Sequence, residues 1–180
     1  MNSNLRLEEP AYRYYERFLA MLKDYRQAGE ARYDYLDITT KADFKPYVRR
    51  LREVAKGIGL RPGWVPQTSF WLVEPGAPLI IGTLQLRHWL TPALEREGGH
   101  IGYSITPSRR GQGYGTRQLA LGLEKARELG LDRVLVTCDT DNIASARVIQ
   151  KNGGEFQDEV ISDTSGKPVS RYWIDLSNHP

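Results

Sequence analysis

The chain has 180 residues, and its 25 basic and 22 acidic side chains leave a formal net charge of only +3. That surplus can help attract an anionic ligand, but it forms no basic stripe of the kind nucleic-acid binding needs, and no apolar run approaches a membrane span. A single cysteine, Cys138, excludes an internal disulfide and suits a reducing cytoplasm, while His and Cys show no metal-ligand spacing.

In chain order, Met-Asn-Ser-Asn-Leu-Arg lacks an apolar signal region, and Leu5-Arg6-Leu7 reads as an edge strand. From Pro10 to about Gly29, Tyr14, Phe18, Met21 and Leu22 are spaced for one buried helical face, and Phe44 to Val54 predicts a second helix. Glycine and proline breakers make Gly57 to Pro66 a loop. Strands follow over 69–74 and 79–88, turned at Pro75-Gly76-Ala77-Pro78, with Leu90 to Gly99 as a polar connection. Trp64, Phe70, Trp71 and Trp89 are read mainly as core, and His88 as structural.

The centre of the chain is the most regular. His100 to Ile105 alternates as a strand and is broken by Thr106-Pro107-Ser108; a helix then runs from Gly113 to Leu129 and stops at Gly130. Arg133 to Cys138 is a short buried-type strand. A second helix opens around Asp141-Asn142-Ile143-Ala144-Ser145, with Asp139 or Asp141 as its cap, and ends near Asn152-Gly153-Gly154. Glu155 to Ile161 and Ser170 to Leu176 close the chain as a strand pair turned at 165–168. Strands on both sides of a strand–helix–strand unit predict one domain over 1–180. Its expected class is α+β, a three-layer α/β/α fold with a mixed, largely antiparallel central sheet and helices on both faces.

Arg109-Arg110-Gly111-Gln112-Gly113-Tyr114-Gly115-Thr116 joins the central strand to its helix. Such a loop leads exposed backbone N–H groups into a helix N-terminus, where the dipole favours phosphate oxygens. Glycine permits positive φ and removes Cβ atoms that would hold a ligand away. A Walker A loop is excluded because no lysine precedes Thr116. A dinucleotide fingerprint is a poor match, since the glycines alternate and too few strand–helix units follow.

Arg110-x-x-Gly113-x-Gly115 resembles the Q/R-x-x-G-x-G/A signature of the GNAT superfamily of acyl-CoA-dependent N-acyltransferases. Asn142-x-x-Ser145, followed by Lys151-x-Gly153, is similar to that family's N-x-x-A/S…K-x-G helix. Gly63-Trp64-Val65-Pro66, Ser69 to Val73, Leu86-Arg87-His88 and Gly98 to Ser104 extend the resemblance to a bacterial subgroup of acetyltransferases. The resemblance implies acetyl transfer from acetyl-CoA to a primary amine, by direct attack in a ternary complex. It places the CoA diphosphate on residues 109–116 and the CoA arm beside Asn142, Ser145 and Lys151. It also makes the Ile105 N–H the donor to the thioester carbonyl, and homodimers are frequent among such proteins. His100 stands where relatives often carry a glutamate base, and imidazole chemistry suits proton acceptance. Ile149 replaces the family's tyrosine acid, so a non-catalytic acyl-CoA binding or sensor domain is the alternative. Tyr103 and Tyr114 are expected to pack, and Cys138 to be a buried thiol.

Overall fold

The computed structural model describes residues 4–177, so the first three residues of the opening stretch read for a signal lie outside it. Seven strands run over Arg6–Glu8 (β1), Gln67–Val73 (β2), Gly82–Arg87 (β3), Ile101–Ile105 (β4), Arg133–Asp139 (β5), Glu155–Ile161 (β6) and Pro168–Asp175 (β7). They form one sheet in the order β1-β2-β3-β4-β5-β7-β6. Among the described residues β4–β5 is the single parallel pair, as a mixed, largely antiparallel sheet requires.

Helices Tyr15–Gln27 (α1) and Lys41–Ala55 (α2) cover one face of the sheet. Phe18, Met21, Leu22 and Tyr25 repeat at helical spacing and are almost fully buried, together with Trp71, Val73 and Ile80 of the sheet side. α2 begins earlier than its apolar spacing predicts. Thr40 accepts from Asp43 N–H while the Asp43 carboxylate accepts from Thr40 N–H, a capping box that starts the helix at Lys41.

The connection over 90–99 is more ordered than expected, because Thr91 caps a short helix, Pro92–Arg96 (α3), with Pro92 in its first turn. Helices Tyr114–Glu128 (α4) and Ile143–Lys151 (α5) cover the opposite face through Leu119, Leu123, Ala126 and Ile149, completing the three layers. Phe70 and Trp71 are core residues as expected, whereas Trp64 and Trp89 are more than half exposed.

β4 and β5 meet at a single ladder position, Ile101 with Val136, and part beyond it. Both strands run from this closed end toward the end of the sheet where the glycine loop leaves β4. The result is a split in the sheet, opening beside that loop.

Candidate active site

The polar groups of the split follow from strand register. Arg87 N–H donates to His100 C=O at 2.8 Å, and Thr106 N–H to Ile81 C=O at 2.9 Å. Antiparallel alternation between these points turns the backbone groups of Gly102 and Ser104 toward β3, and those of Tyr103 and Ile105 toward β5. The β4–β5 ladder has already ended there. The N–H groups of Tyr103 and Ile105 therefore face the split without a ladder partner, in position for an extended ligand.

The glycine loop stands at the mouth of the split. A 3-10 turn over Pro107–Arg109 ends β4, and Gly113 at φ +82° is the N-cap of α4. Gly111 also has positive φ, at +72°, and a Cβ at either glycine would meet open space. Among the described residues, the six backbone N–H groups from Gly111 to Thr116 have no protein acceptor; the next, Arg117 N–H, bonds Gly113 C=O. Six successive free donors at a helix N-terminus form a strong anion seat. Gly115 serves packing instead: a Cβ there would lie 3.2 Å from Val148 Cγ2 of α5.

The two loop arginines do not both point at this seat. Arg110 donates through both terminal nitrogens to Glu30, at 2.6 and 2.8 Å, and through Nε to Ile105 C=O at 3.0 Å. That bonding holds the Glu30 carboxyl below the usual carboxylate range. Tyr25 Oη donates to the same Ile105 C=O at 3.2 Å, so α1 and the segment after it are fastened to the end of β4. Arg109 turns toward the Pro75–Pro78 turn and lines a polar recess with Asn4 and Glu74. Gln112 folds back, its Nε2 bonding Ser108 C=O.

α5 borders the split from β5. Asn142 Oδ1 accepts from Ser145 N–H at 3.0 Å, so Asn142 is the cap in place of Asp139 or Asp141. Ser145 Oγ lies 2.9 Å from Tyr103 Oη across the split. Lys151 is exposed in the last turn of α5, and Ile149 is fully buried in the core. Burial raises the half-buried Cys138 thiol above its ordinary range.

His100 sits at the closed end. Counted along β4, it is about 16 Å from Ile105 at a rise of roughly 3.3 Å per residue. Its Nδ1 accepts from Leu135 N–H at 2.9 Å, and its ring packs edge-on against Trp173. Burial first, then the charges of Arg87 and Arg133, lower its pKa to about 4. The ring is therefore neutral near pH 7, with its proton on Nε2 and its lone pair already used. His88 Nε2 bonds Thr68 Oγ1 of β2 at 2.9 Å, and both histidines border one shallow recess with Trp89 and Arg133.

Sequence reasoning missed three contributors. Gln118 of α4 is fully buried, and its Nε2 donates to Thr83 C=O at 2.7 Å, tying the glycine-loop helix to β3 beside β4. Gly82 makes room for it, since a Cβ there would overlap Gln118 Oε1. Asn152 Nδ2 bonds Thr116 C=O and Val148 C=O, locking α4 to α5. Glu30, the third, is 80 residues from its Arg110 partner. A fully buried Gln in a helix facing Gly in a strand is the one signal that pattern reading offered, and it requires the pairing to be known.

The family model for the acetyltransferase (GNAT) domain matches residues 4–155. No curated protein matches the chain. Among solved structures, the ribosomal-protein-S5-alanine acetyltransferase from Vibrio fischeri superposes with a TM-score of 0.68 at 16% identity, over 100% of this chain and 98% of the other. RimL, the ribosomal L7/L12 alpha-N-protein acetyltransferase, solved with coenzyme A, gives 0.69 at 15% identity, covering 99% and 97%. YncA from Salmonella typhimurium, solved with acetyl-CoA, gives 0.62 at 14% identity, covering 98% and 96%. At these identities the likeness concerns the fold alone. With its family model matched over most of its length and a glycine loop set at the mouth of a split sheet, the chain belongs to the GNAT acetyltransferases, the acyl-CoA-dependent N-acyltransferases.

Proposed function

We propose that the protein transfers the acetyl group of acetyl-CoA to a primary amine by direct attack within a ternary complex, in the cytoplasm, where its unpaired Cys138 stays reduced. The observation that carries this reading is the run of six unpartnered amides, Gly111 to Thr116, opening beside the split. The diphosphate occupies those amides. The pantetheine arm extends into the split along Tyr103 and Ile105, bordered by the first turn of α5 with Asn142 and Ser145; Lys151 supplies positive charge farther along that helix.

The thioester carbonyl accepts from the Ile105 N–H, a donor held in place because Arg110 and Tyr25 grip the C=O of the same residue. Arg110 thus serves the coenzyme by shaping the loop rather than by touching phosphate. A pinning role suits His100 better than that of base. Accepting a proton at Nδ1 would break its bond to Leu135, so His100 fastens β4 to β5 at the closed end. The attacking amine gives its proton to water.

The test is acetyl-CoA-dependent thiol release against a panel of amines, with wild type and Gly113→Glu. Release with at least one amine, lost in the variant, is the expected result. The variant sets a carboxylate, and a side chain at φ +82°, where phosphate belongs. The buried Ile149 favours one other reading, an acyl-CoA sensor. Coenzyme binding in calorimetry with no release for any amine would select it.

A further inference from the structure

Breaking the thioester leaves a negative charge on the CoA sulfur, and Ile149, at the position where the family's tyrosine stands, has no donor to meet it. Another hydroxyl lines the same split. Tyr103 is the first β4 residue past the closed end whose backbone faces β5, and its side chain crosses the split on the α4/α5 face. Its hydroxyl stops 2.9 Å from Ser145 Oγ in the first turn of α5. The half-buried Cys138 thiol of β5 lies against the same serine. This stretch of the split is therefore lined by two hydroxyls and a thiol that bridge its two walls.

We propose that Tyr103 is a catalytic residue that donates a hydrogen bond to the departing CoA sulfur, with Ser145 as the positioning residue that orients it. The inference rests on the coenzyme position proposed above. The amine lone pair forms the C–N bond at the carbonyl carbon, and the C–S electron pair leaves on sulfur. Tyr103 O–H donates to that sulfur while Ser145 O–H donates to Tyr103 Oη, each bond strengthening the other. The ammonium proton passes to water, and the thiolate takes a proton from water as CoA departs.

The hydroxyl donates without giving up its proton. Burial pushes the Tyr103 phenol up to about 12, well above a thiol near 8.5, so full transfer to sulfur runs uphill. A donor of that kind lowers the energy of the thiolate and needs no proton returned before the next turnover.

The thiol of bound CoA reports on this contact without any acceptor amine. Thiolate absorbance is followed against pH for CoA bound to wild type, Tyr103→Phe and Ser145→Ala. A parallel titration with desulfo-CoA subtracts Cys138 and the tyrosines, and calorimetry gives the affinity of each protein for CoA. The expected result is a bound thiol roughly tenfold more acidic in wild type than in Tyr103→Phe, a shift of about one pKa unit. The calorimetric affinity sets the CoA concentration that saturates each protein, and Ser145→Ala should give an intermediate value. Equal thiol acidity in wild type and Tyr103→Phe, with both proteins binding CoA, overturns the role of Tyr103 and leaves the proposed function standing. Failure of folded wild type to bind CoA overturns both.

Discussion

At the scale of single residues, His100 separates family position from local chemistry. Its place at the head of β4 marks it as a proton acceptor by resemblance, but Leu135 N–H occupies its Nδ1 and its pKa lies near 4. A depressed folded-state pKa means that the unfolded chain binds the extra proton first. Stability from this group is complete above the unfolded value near 6.5 and is lost as pH falls toward 4. Wild type should therefore lose about 2 kcal/mol more than His100→Gln between pH 7.5 and pH 5, measured by urea denaturation. The pH dependence of kcat/KM should be unchanged by the same substitution, because His100 takes no proton from the amine. An acidic limb that vanished in His100→Gln would restore the histidine as base.

At the scale of elements, regular periodicity and glycine chemistry were legible, and tertiary partnership was not. The apolar spacing in α1 and α4, the alternation in β4 and the stop at Gly130 appear where the residues predict them, because each depends on near neighbours. α3 escaped because five residues are too few to show a helical period. The glycine loop was legible as a turn that leads free amides into a helix N-terminus. That Arg110 turns away to Glu30, or that Gln118 reaches β3, depends on segments that only the folded chain brings together. The three alternating glycines also divide their work in a way spacing cannot reveal. Gly111 and Gly113 supply positive φ, whereas Gly115 lets α4 approach α5. Gly115→Val should overpack the contact with Val148 and lower stability by about 1–3 kcal/mol. Denaturant melts alongside Gly115→Ala check this, since alanine adds one methyl against a contact of 3.2 Å and should cost less. A valine variant as stable as wild type would mean that α5 yields freely.

At the scale of the whole molecule, a coenzyme bound in the split as proposed would be a structural partner as well as a substrate. The first four strands carry α1 and α2 and the last three carry α5. On the open side of the sheet the parts are joined by few bonds, since β4 and β5 share one ladder position and are held otherwise by His100 against Leu135, by α3 and residues 97–98 against β5–β7 and by α4. Free amides on both the loop and β4 leave donors open to a ligand. A ligand that bonds them joins the two parts. At a coenzyme concentration of 100 times Kd, mass action alone adds about 2.7 kcal/mol of stability. For a chain of this size, that raises Tm by roughly 5–10 °C, at about 2–4 °C per kcal/mol. The location of the effect is the sharper test. Amide hydrogen exchange should be fast at residues 111–116 and at Tyr103 and Ile105 in the free protein, then slow in all of them together when CoA binds, because the same molecule closes both sets of donors. Protection of the loop without the strand would place the diphosphate correctly and the pantetheine arm outside the split, removing Ile105 from the chemistry.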